Sequence, residues 1–238
     1  MAMRYVASVS YPRSGHHLIV RILQAYFGEP FAYCQYYAMP PDACCQAFPC
    51  VHPGIACTKN HDMELEVGLP GIDADTDVPV LVGVRHFMDA VVSDYEQHVR
   101  IGNPDSLQEW RSLAGVKAAY YSAFVKKWIA TPRCAERCIV KYEEIVTAPE
   151  QTLARVIRFF DPAADVDRER LARCLADTPR ESINEHNDVV LEPGHGIAAP
   201  RRVETFRYFD PTIFGRIEGC VADALRLLGY PLRYPAPT

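Results

Sequence analysis

The chain has 238 residues and a mass of 26.8 kDa, a length that predicts one α/β domain spanning 1–238, with loop insertions, rather than two separate units. Hydrophobic residues make up 49% and charged residues 23%, enough apolar surface for a real core, which excludes disorder as the main state. The net charge of −5, from 30 acidic against 25 basic residues, argues against a general nucleic-acid surface and leaves room only for a local basic pocket.

No apolar run approaches the roughly 18 residues of a membrane span. The start, Met1-Ala2-Met3-Arg4-Tyr5-Val6, lacks the long apolar stretch of a signal peptide. Nine cysteines cannot all pair within one chain, and together with the missing signal they predict reduced thiols in a cytoplasm. Cys44, Cys45, Cys50 and Cys57 cluster without paired C-x2-C knuckles, so they read as small buried or loop thiols, and no metal is expected.

The first element is a β-rich run from Tyr5 to Ser10, followed by the loop Tyr11-Pro12-Arg13-Ser14-Gly15. Leu18, Ile19, Ile22, Leu23 and Tyr26 then recur at the spacing of one buried helix face. Residues 28–54 show no clean period and read as a long irregular segment, with Ile55–Thr58 a short strand after it. Pro79–Val84 is the strongest strand, and its continuous apolar run suits a central parallel strand covered on both faces.

A helix is predicted from Phe87 to Arg100, and Ser106-Leu107-Gln108-Glu109 opens another with a capping-box pattern. Leu107, Trp110, Leu113, Tyr121, Phe124 and Trp128 form its expected apolar face. Cys138–Val140 reads as the next strand, and Thr147–Glu150 as a second capping pattern ahead of Leu153, Val156, Ile157 and Phe160. Helices are expected at Arg168–Ala176 and Pro211–Leu228, with 178–203 a mobile loop able to act as a lid. The alternation predicts a three-layer α/β/α fold around a central parallel sheet.

The loop between the first strand and first helix has the makings of an anion cradle. Gly15 lets backbone approach a ligand, the helix start aims unpaired N–H groups and a positive dipole end at it, Arg13 adds a fixed charge, and Ser14 adds a hydroxyl. The G-x4-G-K-[ST] pattern of nucleoside triphosphatases is absent.

Tyr-Pro-Arg-Ser-Gly at this turn resembles the 5′-phosphosulfate-binding loop of the cytosolic-type, bacterial-like sulfotransferases, which use 3′-phosphoadenosine-5′-phosphosulfate (PAPS). Further elements of that family follow in order. Lys59-Asn60-His61 looks like its Lys-x-His element, whose histidine is the general base. Arg85, followed eight residues later by Ser93, resembles its 3′-phosphate pair. Val140-Lys141-Tyr142-Glu143-Glu144 is similar to its strand-end Tyr-Glu element, whose tyrosine borders adenine. The resemblance covers about residues 5–160 and implies a P-loop-like sulfotransferase fold.

It also implies an enzyme that moves a sulfuryl group from PAPS to a hydroxyl without a metal. His61 would be the base, with Lys59 and Arg13 stabilising charge on the sulfuryl group. Ser14, Gly15, His16 and His17 would hold the 5′-phosphate through side chains or backbone N–H groups, and Arg85 and Ser93 the 3′-phosphate. Tyr142 would lie at the adenine.

The chain departs from the family pattern at His16-His17-Leu18, where hydroxyl residues and tryptophan are usual, and at Arg13, where lysine is usual. The late Arg-Lys-Gly-like element has no clear counterpart; Gly194-His195-Gly196 and Arg201-Arg202 fall in that stretch, and Arg201 and Arg202 are the candidates for closing over the 3′-phosphate. Asp62 and Glu64 read as solvated charge, or as carboxylates that orient His61 or act as base themselves. Tyr26, Phe27, Phe31, Tyr33, Tyr36 and Tyr37 read as filler beneath an irregular loop or as the wall of an acceptor pocket.

The acceptor class expected is a small molecule or a glycan or glycolipid, with no nucleic-acid partner and no integral membrane segment. Two alternatives remain open: a P-loop-like nucleotide kinase, and a PAPS- or nucleotide-binding domain without turnover.

Overall fold

The structure, a computed structural model, describes residues 3–35, 44–69, 71–131, 134, 136–183, 189–192, 197 and 202–234. Five strands form the main sheet: β1 (Val6–Ser10), β2 (Ala32–Gln35), β3 (Ile55–Asn60), β4 (Val80–Val84) and β5 (Arg137–Lys141). They lie in the order β2-β3-β1-β4-β5, and every neighbouring pair is parallel. This is the parallel sheet that the alternation predicted, and β4 occupies the inner place its apolar run implied, with all five residues buried between β1 and β5.

Helices cover both faces. On one side lie α1 (His16–Phe27), α6 (Pro149–Phe160) and α7 (Arg168–Asp177). On the other lie α3 (Phe87–Arg100), α4 (Leu107–Val125), α8 (Pro211–Gly219) and α9 (Ala222–Leu227). The pleat sorts the strand residues between the two cores. Ala7, Val9, Val80, Val82 and Val84 join the α3–α4 side, while Val6, Leu81, Cys138 and Val140 join the α1–α6 side. Two short helices, α2 (Glu64–Val67) and α5 (Tyr142–Thr147), follow the ends of β3 and β5.

Several expectations change. Residues 28–54, expected to be irregular, contain the edge strand β2, in which only Cys34 of the four residues is buried, so no alternation marks it. Half of the capping box at Ser106 forms: its hydroxyl accepts from the Glu109 N–H at 3.1 Å, but the Ser106 N–H donates to the Tyr95 hydroxyl and the Glu109 carboxylate faces His98, and Leu107 is 37% exposed and leaves the apolar face. That helix ends in a π-helical turn, Lys126–Ala130, which turns Trp128 into the core.

The capping pattern at Thr147 does not form. Thr147 Oγ1 donates to the Glu143 carbonyl at 2.8 Å within α5, and α6 starts on Pro149 at its first position instead. The stretch 178–203, read as a loop, contains an antiparallel hairpin of β6 (Arg180–Ile183) and β7 (Val189–Glu192). The closing helix is two helices, because the chain tightens at Cys220 and Val221 into hydrogen bonds three residues apart.

Tyr26 packs on Phe27, Phe27 on Phe31 and Phe31 on Phe160 as core filler, and Tyr36 and Tyr37 lie outside the described residues. Cys34 and Cys44 bring their sulfurs to 3.6 Å, and Cys45 and Cys50 to 3.5 Å, as free thiols. No helix among the described residues is long and apolar enough to cross a membrane.

Candidate active site

The carboxyl ends of β1, β3, β4 and β5 open on one edge of the sheet, where open α/β sheets bind ligands. The turn after β1 is anchored by Tyr11, whose buried ring packs on Tyr120 and Tyr121 at 5.1 and 4.8 Å and whose hydroxyl donates to the Lys117 carbonyl at 3.2 Å. Arg13 has φ 64° and Gly15 φ 81°. For arginine this left-handed backbone is strained and must be held by its surroundings. For glycine it meets a second requirement, since a Cβ there would lie 2.7 Å from a ring carbon of Tyr142.

Gly15 precedes α1 with no side-chain cap, and the first turn of α1 carries no acidic residue, so the dipole and the first N–H groups face the loop. Ser14 is 1% exposed, and its hydroxyl has no hydrogen-bond partner. Leaving such a group unsatisfied costs about 1–3 kcal/mol, and at a helix N-terminus it is placed to hold an anion.

A second set of groups surrounds Arg85, at the end of β4. Arg13 Nε donates to Ser93 Oγ at 3.0 Å, and Arg85 Nη1 donates to the Arg13 carbonyl at 3.2 Å. The Arg85 guanidinium lies 4.3 Å over the Tyr142 ring, and its Nε is buried without a partner. Glu143 locks this corner by accepting from the His86 N–H at 2.9 Å and from the Tyr230 hydroxyl at 2.6 Å. Arg13, Ser14, Gly15, Arg85, Ser93 and Tyr142 thus come together from four segments of the chain. The side chain of Arg13 reaches Ser93.

The other end of the site is built on β3, which runs two residues further than its apolar pattern and carries Lys59 opposite Ser8 of β1. Lys59 is 7% exposed, and His61 follows at the same strand parity. His61 Nδ1 lies 2.9 Å from the Ser10 carbonyl oxygen. A carbonyl can only accept, so Nδ1 carries the hydrogen and Nε2 is the basic nitrogen. Burial, and then the Lys59 charge, push the His61 pKa down to about 4, which keeps the ring neutral at pH 7.

Asp62 overturns the expectation of solvated charge. It is fully buried at φ 56°, accepts from Trp128 Nε1 at 2.6 Å and pairs with Lys127 at 2.9 Å. It therefore pins the turn that carries His61, without touching the ring. Tyr120 pins the same turn by donating to the His61 carbonyl. Glu64 is largely exposed and faces Lys127 at 3.5 Å. Nothing local marked Asp62, because Trp128 and Lys127 reach it from 66 and 65 residues away.

His16 is buried, and its imidazole turns back to β1, so only its backbone N–H remains for the loop; His17 is exposed on the first turn of α1. Arg202 stands exposed before a 3-10 turn, Val203–Thr205, and no hydrogen bond joins its side chain to the cluster; Arg201 lies outside the described residues. Among the described residues, no group of three or more His, Cys, Asp or Glu side chains is arranged to hold a metal ion.

No family model matches the chain, and no curated protein matches it in sequence. Solved structures do. A mouse sulfotransferase, SULT7A1, complexed with PAP superposes with a TM-score of 0.58 at 17% identity, covering 97% of this chain and 89% of that one. A sulfotransferase from Alicyclobacillus acidocaldarius superposes with a TM-score of 0.54 at 14% identity, covering 98% of each chain. The chain therefore has the sulfotransferase fold.

Proposed function

We propose that this protein is a sulfotransferase that moves a sulfuryl group from PAPS to a hydroxyl of a small-molecule, glycan or glycolipid acceptor. The observation that carries the reading is the pair of buried, unsatisfied polar groups, Ser14 Oγ and Arg85 Nε, at the strand ends beside a neutral His61. Two orphaned donors flanking one loop are what a doubly phosphorylated nucleotide would satisfy. The similar fold of a mouse sulfotransferase complexed with PAP supports the same ligand.

Ser14 and the first N–H groups of α1 would hold the 5′-phosphate, with His16 and His17 contributing backbone N–H groups. Arg85 and Ser93 would hold the 3′-phosphate, the group that separates this nucleotide from ATP, and Tyr142 would border the adenine. In its present position Arg13 belongs with Ser93 and Arg85. Lys59, whose charge helps to lower the His61 pKa, would then be the cation that serves the sulfuryl group, with Arg13 at the nucleotide.

PAPS, when bound, supplies the sulfuryl group and leaves as the 3′,5′-bisphosphate. His61 Nε2 takes the proton of the acceptor hydroxyl as the new O–S bond forms and the S–O bond to the phosphate breaks. Lys59 stabilises the negative charge on the sulfuryl and bridging oxygens. Positioning and charge carry the reaction, as in phosphoryl transfer.

The test is transfer of labelled sulfate from PAPS across phenols, sugars and lipids with no metal added. Transfer to any of them supports the proposal. Tight binding of PAP with no transfer would replace it with a non-catalytic nucleotide-binding role. Magnesium-dependent use of ATP would replace it with a kinase.

A further inference from the structure

Ser8 and Ser10 lie on the same face of β1 as Val6, the face that packs under α1. Both are buried, at 2% and 1% exposure, on the face covered by the α1–α6 core, with Lys59 of β3 opposite Ser8. His16, in the first turn of α1, meets both: its Nδ1 lies 2.6 Å from Ser10 Oγ and its Nε2 2.8 Å from Ser8 Oγ. Ser10 also faces His61, whose Nδ1 lies 3.1 Å from Ser10 Oγ as well as 2.9 Å from the Ser10 carbonyl. The His16 and His61 rings stand edge to face at 5.5 Å. Gly83, paired with Ser10 across β1 and β4, makes the room, since a Cβ there would lie 2.9 Å from Ser10 Cβ.

The hydrogens in this chain of groups can be placed one by one. The Ser10 carbonyl requires a hydrogen on His61 Nδ1. Ser10 Oγ accepts from that same N–H, and among the described contacts its own hydrogen has one acceptor, His16 Nδ1 at 2.6 Å. A bare His16 Nδ1 gives that hydrogen its acceptor, which puts the hydrogen of a neutral His16 on Nε2, donating to Ser8 Oγ at 2.8 Å. The burial of His16, which disfavours its charged form, agrees with this assignment.

We propose that His16, acting through Ser10, is a positioning residue for His61: a buried His61–Ser10–His16–Ser8 relay, polarised in one direction, holds the His61 ring with Nε2 as its basic nitrogen and supports the positive charge that the ring gains when Nε2 takes a proton. Without His16, the Ser10 hydroxyl hydrogen loses its acceptor and can turn toward His61 Nδ1, competing with the ring's own N–H. The proposal gives His16 a part other than contact with phosphate, and its catalytic consequence rests on His61 being the base.

Two measurements test it separately. Nitrogen NMR of the folded protein labelled in histidine reads the tautomers without any turnover. Opposite tautomers are expected, with hydrogen on Nδ1 of His61 and on Nε2 of His16. A hydrogen on His61 Nε2, or on His16 Nδ1, overturns the relay even if the protein proves to be a sulfotransferase. Opposite tautomers in a protein without transfer activity would uphold the relay while the functional reading fails.

Kinetically, His16→Phe should lower kcat by about tenfold while leaving KM for PAPS and the affinity for PAP within about twofold, since uniform binding is untouched. His16→Asn, whose Oδ1 can accept from Ser10 as Nδ1 does, should recover kcat to within about threefold of the native value. Loss of kcat in both variants alike, or in neither, overturns the positioning role. Should His16→Phe fail to fold, Ser10→Ala breaks the same link and is held to the same expectations.

Discussion

The two ends of the site are built on opposite principles. Around His61 the contacts that orient the ring are made within the fold: Nδ1 rests on Ser10, Ser10 on His16, and the carbonyl of His61 on Tyr120. Asp62 behind it is held by Trp128 and Lys127. Around Arg85 and Ser14 the contacts are open, with two buried polar atoms unsatisfied and a strained Arg13 backbone beside them. A base must keep one orientation and one tautomer whether or not substrate is present, so its hydrogen bonds are made within the fold. A binding end holds its donors in reserve for an anion, at a cost in stability until the anion arrives.

The contrast breaks most visibly at His61. His61→Ala should lower kcat by about a thousandfold, the scale of a general base, with PAP affinity by calorimetry unchanged; near-native turnover would remove the base from the closed end. At the open end, Arg85→Ala should weaken PAP on the order of tenfold to a hundredfold and adenosine 5′-monophosphate far less. Equal weakening of both would take Arg85 away from the 3′-phosphate.

Gly15→Ala touches the hinge between the ends. The left-handed backbone alone should cost about 1–2 kcal/mol in urea unfolding, and the displaced Tyr142 ring should weaken nucleotide binding as well. Unchanged stability and binding would show that the loop tolerates a Cβ.

Acid acts gradually, and it reads the closed end. The His61 pKa near 4 lies below the ordinary histidine value, so between about pH 6.5 and pH 4 the unfolded chain binds a proton that the folded chain refuses. Stability should therefore fall as the pH drops through that window, and His16, lowered by burial, adds to the same trend. For the same reason the acid limb of kcat/KM in the free enzyme should lie near pH 4. An acid limb at the ordinary histidine pKa would mean that the base is more exposed than this geometry allows.

Much of the scaffold could be read from residue order. The apolar run Val80–Val84, the helical spacing behind Gly15 and the capping serine at 106 are local signals, and each produced its element. The candidate groups also sit where strand ends and spacing put them: Lys59 and His61 two residues apart on one parity, Arg85 at the end of β4, and Ser14 at the start of α1. The four-residue edge strand β2 and the β6–β7 hairpin went unread because each is too short to establish a period.

What composition and charge could exclude at the outset, residue order then narrowed to a loop, a Lys-x-His element and an arginine at three strand ends, because periodicity and turn chemistry act over a few residues. Folding alone decided which of these groups touch. Asp62 became an anchor because a π-helical turn delivers Lys127 and Trp128 to it from the far end of α4. His16 turned inward because two serines on the buried face of β1 needed partners. Arg13 reached Ser93 because β1 and β4 are neighbours in the sheet. The contacts of Asp62 and Arg13 cross tens of residues and those of His16 join a strand to the helix after it, all made by hydrogen bonds that become worth making only when burial has removed the water that would otherwise satisfy them.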